Sequence, residues 1–133
     1  MKPARRRRAA AALLSWPAVA AFAACPLPPQ AGEVLGDDAL QLAWQPQPSP
    51  ITAQRPFALR VQLCPAHARL LRVDATMPEH GHGMNYRVAL QDLGGGVWRA
   101  EGLLWHMSGR WELSFELESA GQTRVLRQSL QLP

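Results

Sequence analysis

The sequence predicts an all-β protein, an immunoglobulin-like antiparallel β-sandwich of about seven strands. Three observations predict this fold class. Short segments alternate between apolar and polar residues, glycine or proline turns separate these segments, and no segment carries a convincing helical stripe of apolar residues. Strands of a sandwich bury one face each, which gives a two-residue period. We therefore expect antiparallel strands packed around one core.

The first predicted strands lie in the first two thirds of the chain. ALQLAW (39–44) is short enough for one strand, and QPQPSP (45–50) can form neither a helix nor a central strand. FALRVQLC (57–64) is the clearest strand, because every second residue is apolar. LRVDAT (71–76) continues this alternation, and YRVAL (86–90) is a further candidate.

The remaining strands form the C-terminal third. GGG (94–96) predicts a hairpin turn into VWRAEGLLW (97–105). RWELSFELE (110–118) alternates again, SAGQ (119–122) is a turn, and TRVLRQSLQL (123–132) closes the chain. The apolar residues of two strands are predicted to face one core: Phe57, Leu59, Val61, Leu63, Trp111, Leu113 and Phe115.

Residues 1–24 match a secretory signal peptide. MKPARRRR is positively charged, and AAAALLSWPAVAAFAA (9–24) is apolar but short for a membrane span. We therefore expect export across a bacterial inner membrane, to the periplasm or beyond. In the exported protein, residues 25–50 would form an extended proline-rich arm with one short strand, and residues 51–133 the sandwich domain.

The positive charge of the chain lies in this leader. The whole chain has 14 Lys plus Arg against 10 Asp plus Glu. Without Lys2 and Arg5 to Arg8, nine arginines remain against the ten acidic residues, a net charge of −1. Nucleic-acid binding needs a basic surface on the mature domain, so no nucleic-acid partner is predicted.

Two interpretations of Cys25 are open. Cleavage after AFA (21–23) would leave Cys25 to form a disulfide with Cys64, which even cysteine parity in an oxidising compartment favours. Closing that loop would add on the order of 4 kcal/mol of stability. Alternatively, FAAC (22–25) resembles a lipoprotein site, in which an acylated Cys25 becomes the N-terminus and anchors the protein to the membrane.

Histidine and methionine are concentrated in two short segments. MPEHGHGM (77–84) and HM (106–107) contain all three methionines and three of the four histidines of the exported chain. Thioethers suit a soft monovalent ion, and imidazole suits both oxidation states of copper. If the first segment is extended and the second lies beside it, the donors converge across two strands. The predicted copper ligands are His80, His82, Met84, His106 and Met107, with Met77 as a weaker candidate.

A second interpretation gives the same segments a structural role. Methionine fills irregular gaps in a core, and loop histidines are commonly exposed without binding anything. The flanking Asp74, Glu79 and Tyr86 are expected to form hydrogen bonds in turns, and His67 is expected on the surface. The motif would then support the fold or contact a partner protein of the cell envelope.

No catalytic arrangement is recognisable. Ser108 and Ser114 lack a base with an orienting carboxylate. The glycines of Gly94–Gly96 indicate a hairpin rather than a phosphate-binding loop, and no zinc-finger spacing occurs. We therefore expect a protein that is not an enzyme.

Two stretches resemble the YtkA-like domain of small exported bacterial proteins. They are DATMPEHGHGMNYRVAL (74–90) and GGGVWRAEGLLWHMSGRWELSFEL (94–117), and the resemblance covers roughly residues 57–118. The shared pattern is a Met-Pro turn carrying Met or His, followed by an M-x-G-x-W element. Here that element is Met107, Gly109 and Trp111.

The resemblance implies an immunoglobulin-like sandwich and kinship with periplasmic copper-handling domains. His80 and His82 stand where methionine is commoner, which shifts the ligand balance towards nitrogen. The leading hypothesis is an exported, non-enzymatic copper-binding domain for copper handling or metalloprotein assembly. The alternative is a cell-envelope binding or assembly module whose His/Met motif is structural or contacts a partner.

Overall fold

The computed structural model of the protein describes residues 25–133, so the predicted signal peptide lies outside the described residues. Within this range the chain forms a short 3-10 turn, Pro29–Ala31, and nine β-strands. The strands are β1 (Glu33–Gly36), β2 (Gln41–Gln47), β3 (Pro56–Cys64), β4 (Arg69–Met77), β5 (His82–Gly83), β6 (Ala89–Gly94), β7 (Val97–Leu104), β8 (Gly109–Ser119) and β9 (Gln122–Leu132). No helix in the described range has the length and apolar character needed to cross a membrane.

The strands form two antiparallel sheets, which confirms the predicted all-β sandwich. One sheet has the order β1-β2-β3-β7-β6, and the other has the order β5-β4-β8-β9. Nine strands are present rather than about seven, because β1 has four residues and β5 has two. Strands that short show no recognisable two-residue period.

The core lies between the sheets and contains the residues that the alternation predicted. All seven predicted core side chains are at most 5 % exposed, and burying each contributes roughly 1.5–3 kcal/mol before entropy is counted. Trp105 is also fully buried, with its ring stacked on Trp111 and edge-on to Phe57.

The proline-rich stretch after Trp44 is partly a strand, which extends β2 beyond the predicted segment 39–44. β2 continues to Gln47 and carries Pro46 opposite Leu59 of β3. On its other side β2 is paired with β1 only as far as Trp44. Pro46 therefore lies where β2 has one neighbour, and a strand tolerates a missing N–H on such an open side. Residues 25–50 thus contribute two strands to the larger sheet.

The alternation predicted for β4 is displaced by an irregularity in its pairing with β8. The register shifts between Leu70 and Arg72, so that Leu70 is buried and Leu71 is exposed. An extra residue in one strand reverses which side chains face the core. Beyond this point Val73 and Ala75 are buried as expected.

The hairpin predicted at Gly94–Gly96 is present. All three glycines have positive φ angles, and they connect β6 to β7. The YRVAL candidate is a strand only in its last part, because β6 begins at Ala89.

Cys25 and Cys64 form a disulfide, with their Cα atoms 5.3 Å apart. The bond joins the first described residue to the last residue of β3 and confirms the pairing that cysteine parity favoured. The same sulfur atom would carry the lipid in the lipoprotein interpretation, so disulfide formation and lipidation of Cys25 exclude each other.

Candidate metal centre

His80, the first of the candidate histidine ligands, lies in the turn that reverses the chain between β4 and β5. The backbone N–H of His80 donates to the carbonyl oxygen of Met77 at 3.1 Å, and Gly81 adopts a φ of 63°. His82 then pairs with Met77 across the hairpin. Of residues 80–84, only His82 and Gly83 lie in a strand, so this part of the segment is not extended throughout.

Three histidine rings are neighbours, although they come from two separate segments. The ring centroids of His80 and His82 are 6.0 Å apart, and those of His82 and His106 are 5.6 Å apart. His106 lies in the connection between β7 and β8, where the chain crosses from one sheet to the other. All three side chains are exposed. The side-by-side arrangement of the two segments is therefore present.

These separations suit imidazoles that share one ion. An imidazole nitrogen binds a first-row metal at about 2.0–2.1 Å, so two rings on one metal have centroids roughly 5–6 Å apart. The planes of the His82 and His106 rings are 28° apart, so these two rings are stacked on one another.

No group of three or more His, Cys, Asp and Glu side chains within residues 25–133 is arranged to hold a metal ion. Any site at this position therefore requires side-chain rotation, a thioether ligand, or both. Thioethers are weak ligands for most metals and good ligands for Cu(I). Copper is thus the metal whose chemistry best fits the donors present.

The three methionines lie in different environments. Met77 is fully buried at the end of β4, and its residue pairing places its side chain on the same sheet face as that of His82. Met107 is partly buried and directly follows His106. Met84 is partly buried and lines a surface cavity of about 510 Å³ together with Asp74 and Tyr86. Of the three methionines, Met107 is the one that both adjoins a histidine in the sequence and is not fully buried, and its side chain packs against the core.

The polar residues that flank the cluster form hydrogen bonds, as expected, although Asp74 does so within β4 rather than in a turn. Asp74 accepts the backbone N–H of Ala75 at 2.8 Å. Glu79 accepts from Arg110 Nε at 3.1 Å, which joins the His80 turn to the start of β8. Both groups of the Glu79–Arg110 pair are exposed, so the pair contributes at most about 1 kcal/mol.

Sequence reasoning placed Trp111 in the core and missed its contacts with the candidate ligands. Its ring centroid lies 5.5 Å from that of His106, with the planes at 90°. Its Nε1–H donates to the carbonyl oxygen of Met107 at 3.0 Å. The M-x-G-x-W spacing was the available signal, because it puts the indole four residues from that carbonyl.

Comparisons of the chain with protein-family models, with characterised proteins and with solved structures find no match. The resemblance to YtkA-like domains therefore stays an expectation from the sequence motifs.

Proposed function

We propose that this exported, non-enzymatic protein binds copper at the surface site formed by His80, His82 and His106, with Met107 as the thioether ligand. The observation that carries the proposal is the proximity of three exposed imidazoles from two segments, with centroid separations of 6.0 and 5.6 Å. Met84 and the buried Met77 are weaker candidates.

The donor set suits copper in either oxidation state. Imidazole binds both oxidation states, and a neutral thioether adds affinity for Cu(I). The surface position of the histidines gives an ion an entry path, which a transferable site needs. Copper handling or the assembly of another metalloprotein is therefore the proposed role.

The second candidate is a cell-envelope binding module in which the motif is structural. The observation favouring it is the packing of the motif itself: His82 stacks on His106, and Glu79 pairs with Arg110. The first contact joins the β4–β5 hairpin to the β7–β8 connection, the second joins it to the start of β8, and neither needs an ion. A partner protein would then contact the exposed histidines.

The test replaces two exposed histidines together, His80→Ala plus His82→Ala. We expect copper affinity to fall at least tenfold, or about 1.4 kcal/mol, because two of the four proposed ligands are lost. The free energy of unfolding should change little, since both side chains are exposed. Affinity is measured by competition with a Cu(I) chelator and, separately, with a Cu(II) chelator.

The matched control is His67→Ala, which removes another exposed histidine in the connection between β3 and β4. Its copper affinity should equal that of the wild type. If the wild-type protein competes for neither copper ion at micromolar concentration, the copper proposal is wrong and the binding-module candidate replaces it. A double variant with wild-type affinity would place the copper elsewhere.

A further inference from the structure

Trp111 belongs to the core and also contacts residues of the candidate metal centre. The side chain is fully buried, and its ring stacks on that of Trp105 with centroids 5.1 Å apart and planes at 5°. Trp105 is in turn edge-on to Phe57 of the other sheet, at 5.3 Å. Aromatic pairs stabilise one another, and a fully buried ring in a close-packed core has little space in which to reorient. The indole of Trp111 is therefore a rigid support.

This support contacts both residues of the His106–Met107 pair. The ring of His106 lies perpendicular to the indole at 5.5 Å, and the carbonyl oxygen of Met107 accepts the indole N–H at 3.0 Å. The pair lies outside the strands, in the connection between β7 and β8. Trp111 thus gives an exposed imidazole and its neighbouring backbone a defined location.

Metal affinity depends on such support. Groups that orient ligands without touching the metal commonly contribute 10–100-fold to affinity, because an unsupported ligand must be ordered when the ion binds. Trp111 restricts the His106–Met107 segment in two ways. It donates a hydrogen bond to the backbone of this segment, and its ring contacts the ring of His106. The ordering cost of binding is therefore reduced before the ion arrives.

We propose that Trp111 is a positioning residue for the metal centre, holding His106 and Met107 so that they can join the histidines of the β4–β5 hairpin on one ion. This proposal rests on the proposed copper-binding function. It assigns to Trp111 a role in affinity in addition to its role in the core.

A matched pair of variants separates positioning from core packing. Trp111→Phe removes the indole N–H and the outer ring while keeping an aromatic side chain. Trp44→Phe makes the same chemical change at another buried tryptophan, whose Nε1–H donates to Gln128 at 2.9 Å and whose ring lies 6.4 Å from that of Phe115. Neither partner of Trp44 is a candidate ligand.

Both variants should lose stability to denaturant, and only Trp111→Phe should lose about tenfold or more in Cu(I) affinity. Equal copper affinities for Trp111→Phe, Trp44→Phe and the wild type would overturn the positioning role while leaving the copper proposal intact. A wild-type protein that binds no copper would overturn both proposals.

A second measurement needs no variant and can overturn the proposal even if Trp111→Phe does not fold. Ag(I), a diamagnetic analogue of Cu(I), is titrated into ¹⁵N-labelled wild-type protein, and the indole N–H signals are followed by NMR. The Trp111 signal should shift on saturation, while that of Trp44 stays in place. Saturable Ag(I) binding with an unmoved Trp111 signal would contradict the proposal.

Discussion

At the scale of single residues, the burial of Met77 explains its presence without a metal. Met77 is fully buried, and a Cβ built on Gly109 would lie 2.7 Å from its Cε atom. Gly109 also has a φ of 126°, in the region that favours glycine. The close fit of these two residues joins the end of β4 to the start of β8. Met77 therefore belongs to the core.

Met77→Leu tests that assignment, because the change removes the thioether and nearly conserves the volume. The free energy of unfolding should fall by less than about 1.5 kcal/mol, whereas Met77→Ala should cost about 2–5 kcal/mol by leaving a cavity. Denaturant titrations measure both values. The copper affinity of Met77→Leu should equal that of the wild type. A loss of affinity in a stable Met77→Leu protein would make Met77 a ligand after all.

At the scale of structural elements, Asp37 links the β1–β2 turn to β9 of the other sheet. Its carboxylate accepts the backbone N–H groups of Ala39 and Leu40 at 3.0 and 3.1 Å, which closes the turn. The same carboxylate accepts two bonds from Arg124, at 2.9 and 3.3 Å. The Arg124 guanidinium, followed by these backbone donors, lowers the pKa of Asp37 from 3.8 to about 2.

The lowered pKa predicts a particular dependence of stability on pH. Because the pKa of Asp37 in the folded protein lies below its ordinary value, its stabilising contribution is fully present above roughly pH 4 and is lost as pH falls towards 2. Asp37→Asn should therefore be less stable than the wild type near neutral pH, and the difference should shrink over that acid range. Urea unfolding at a series of pH values measures it.

The matched control for this prediction is Asp92→Asn. Asp92 also accepts a turn N–H, that of Gly94 at 2.9 Å, and it has no guanidinium partner among the described residues. Asp92→Asn thus removes a carboxylate that accepts a turn N–H without removing a partner of Arg124. A constant difference between the wild type and Asp37→Asn down to pH 2 would contradict the role given to Arg124.

At the scale of the whole molecule, the strands that the sequence predicted best are the long ones with one buried face. β3 has nine residues and β8 has eleven, so each repeats the apolar-polar alternation several times. β5 has two residues and carries no period, although it bears His82. Which side chains of β4 face the core depends on an irregularity in its pairing with β8. The local alternation of residues does not reveal this irregularity.

The candidate site was predictable in composition and only partly in arrangement. The concentration of His and Met in two segments is visible in the sequence, and so is the requirement that these segments meet. Which rings become neighbours depends on the conformation of the short β4–β5 hairpin and on where the chain crosses between sheets, and only the second is a long-range property of the fold. The contact of Trp111 with His106 joins residues five positions apart and depends on how the chain enters β8.

The measurement that tests the copper site most directly is X-ray absorption spectroscopy of the wild-type protein loaded with one equivalent of Cu(I). The proposed site should give two or three imidazole nitrogens at about 2.0 Å and one thioether sulfur at about 2.3 Å, close to the metal–imidazole and metal–thiolate distances of zinc sites. A spectrum of the loaded protein without imidazole scattering would contradict the proposed site.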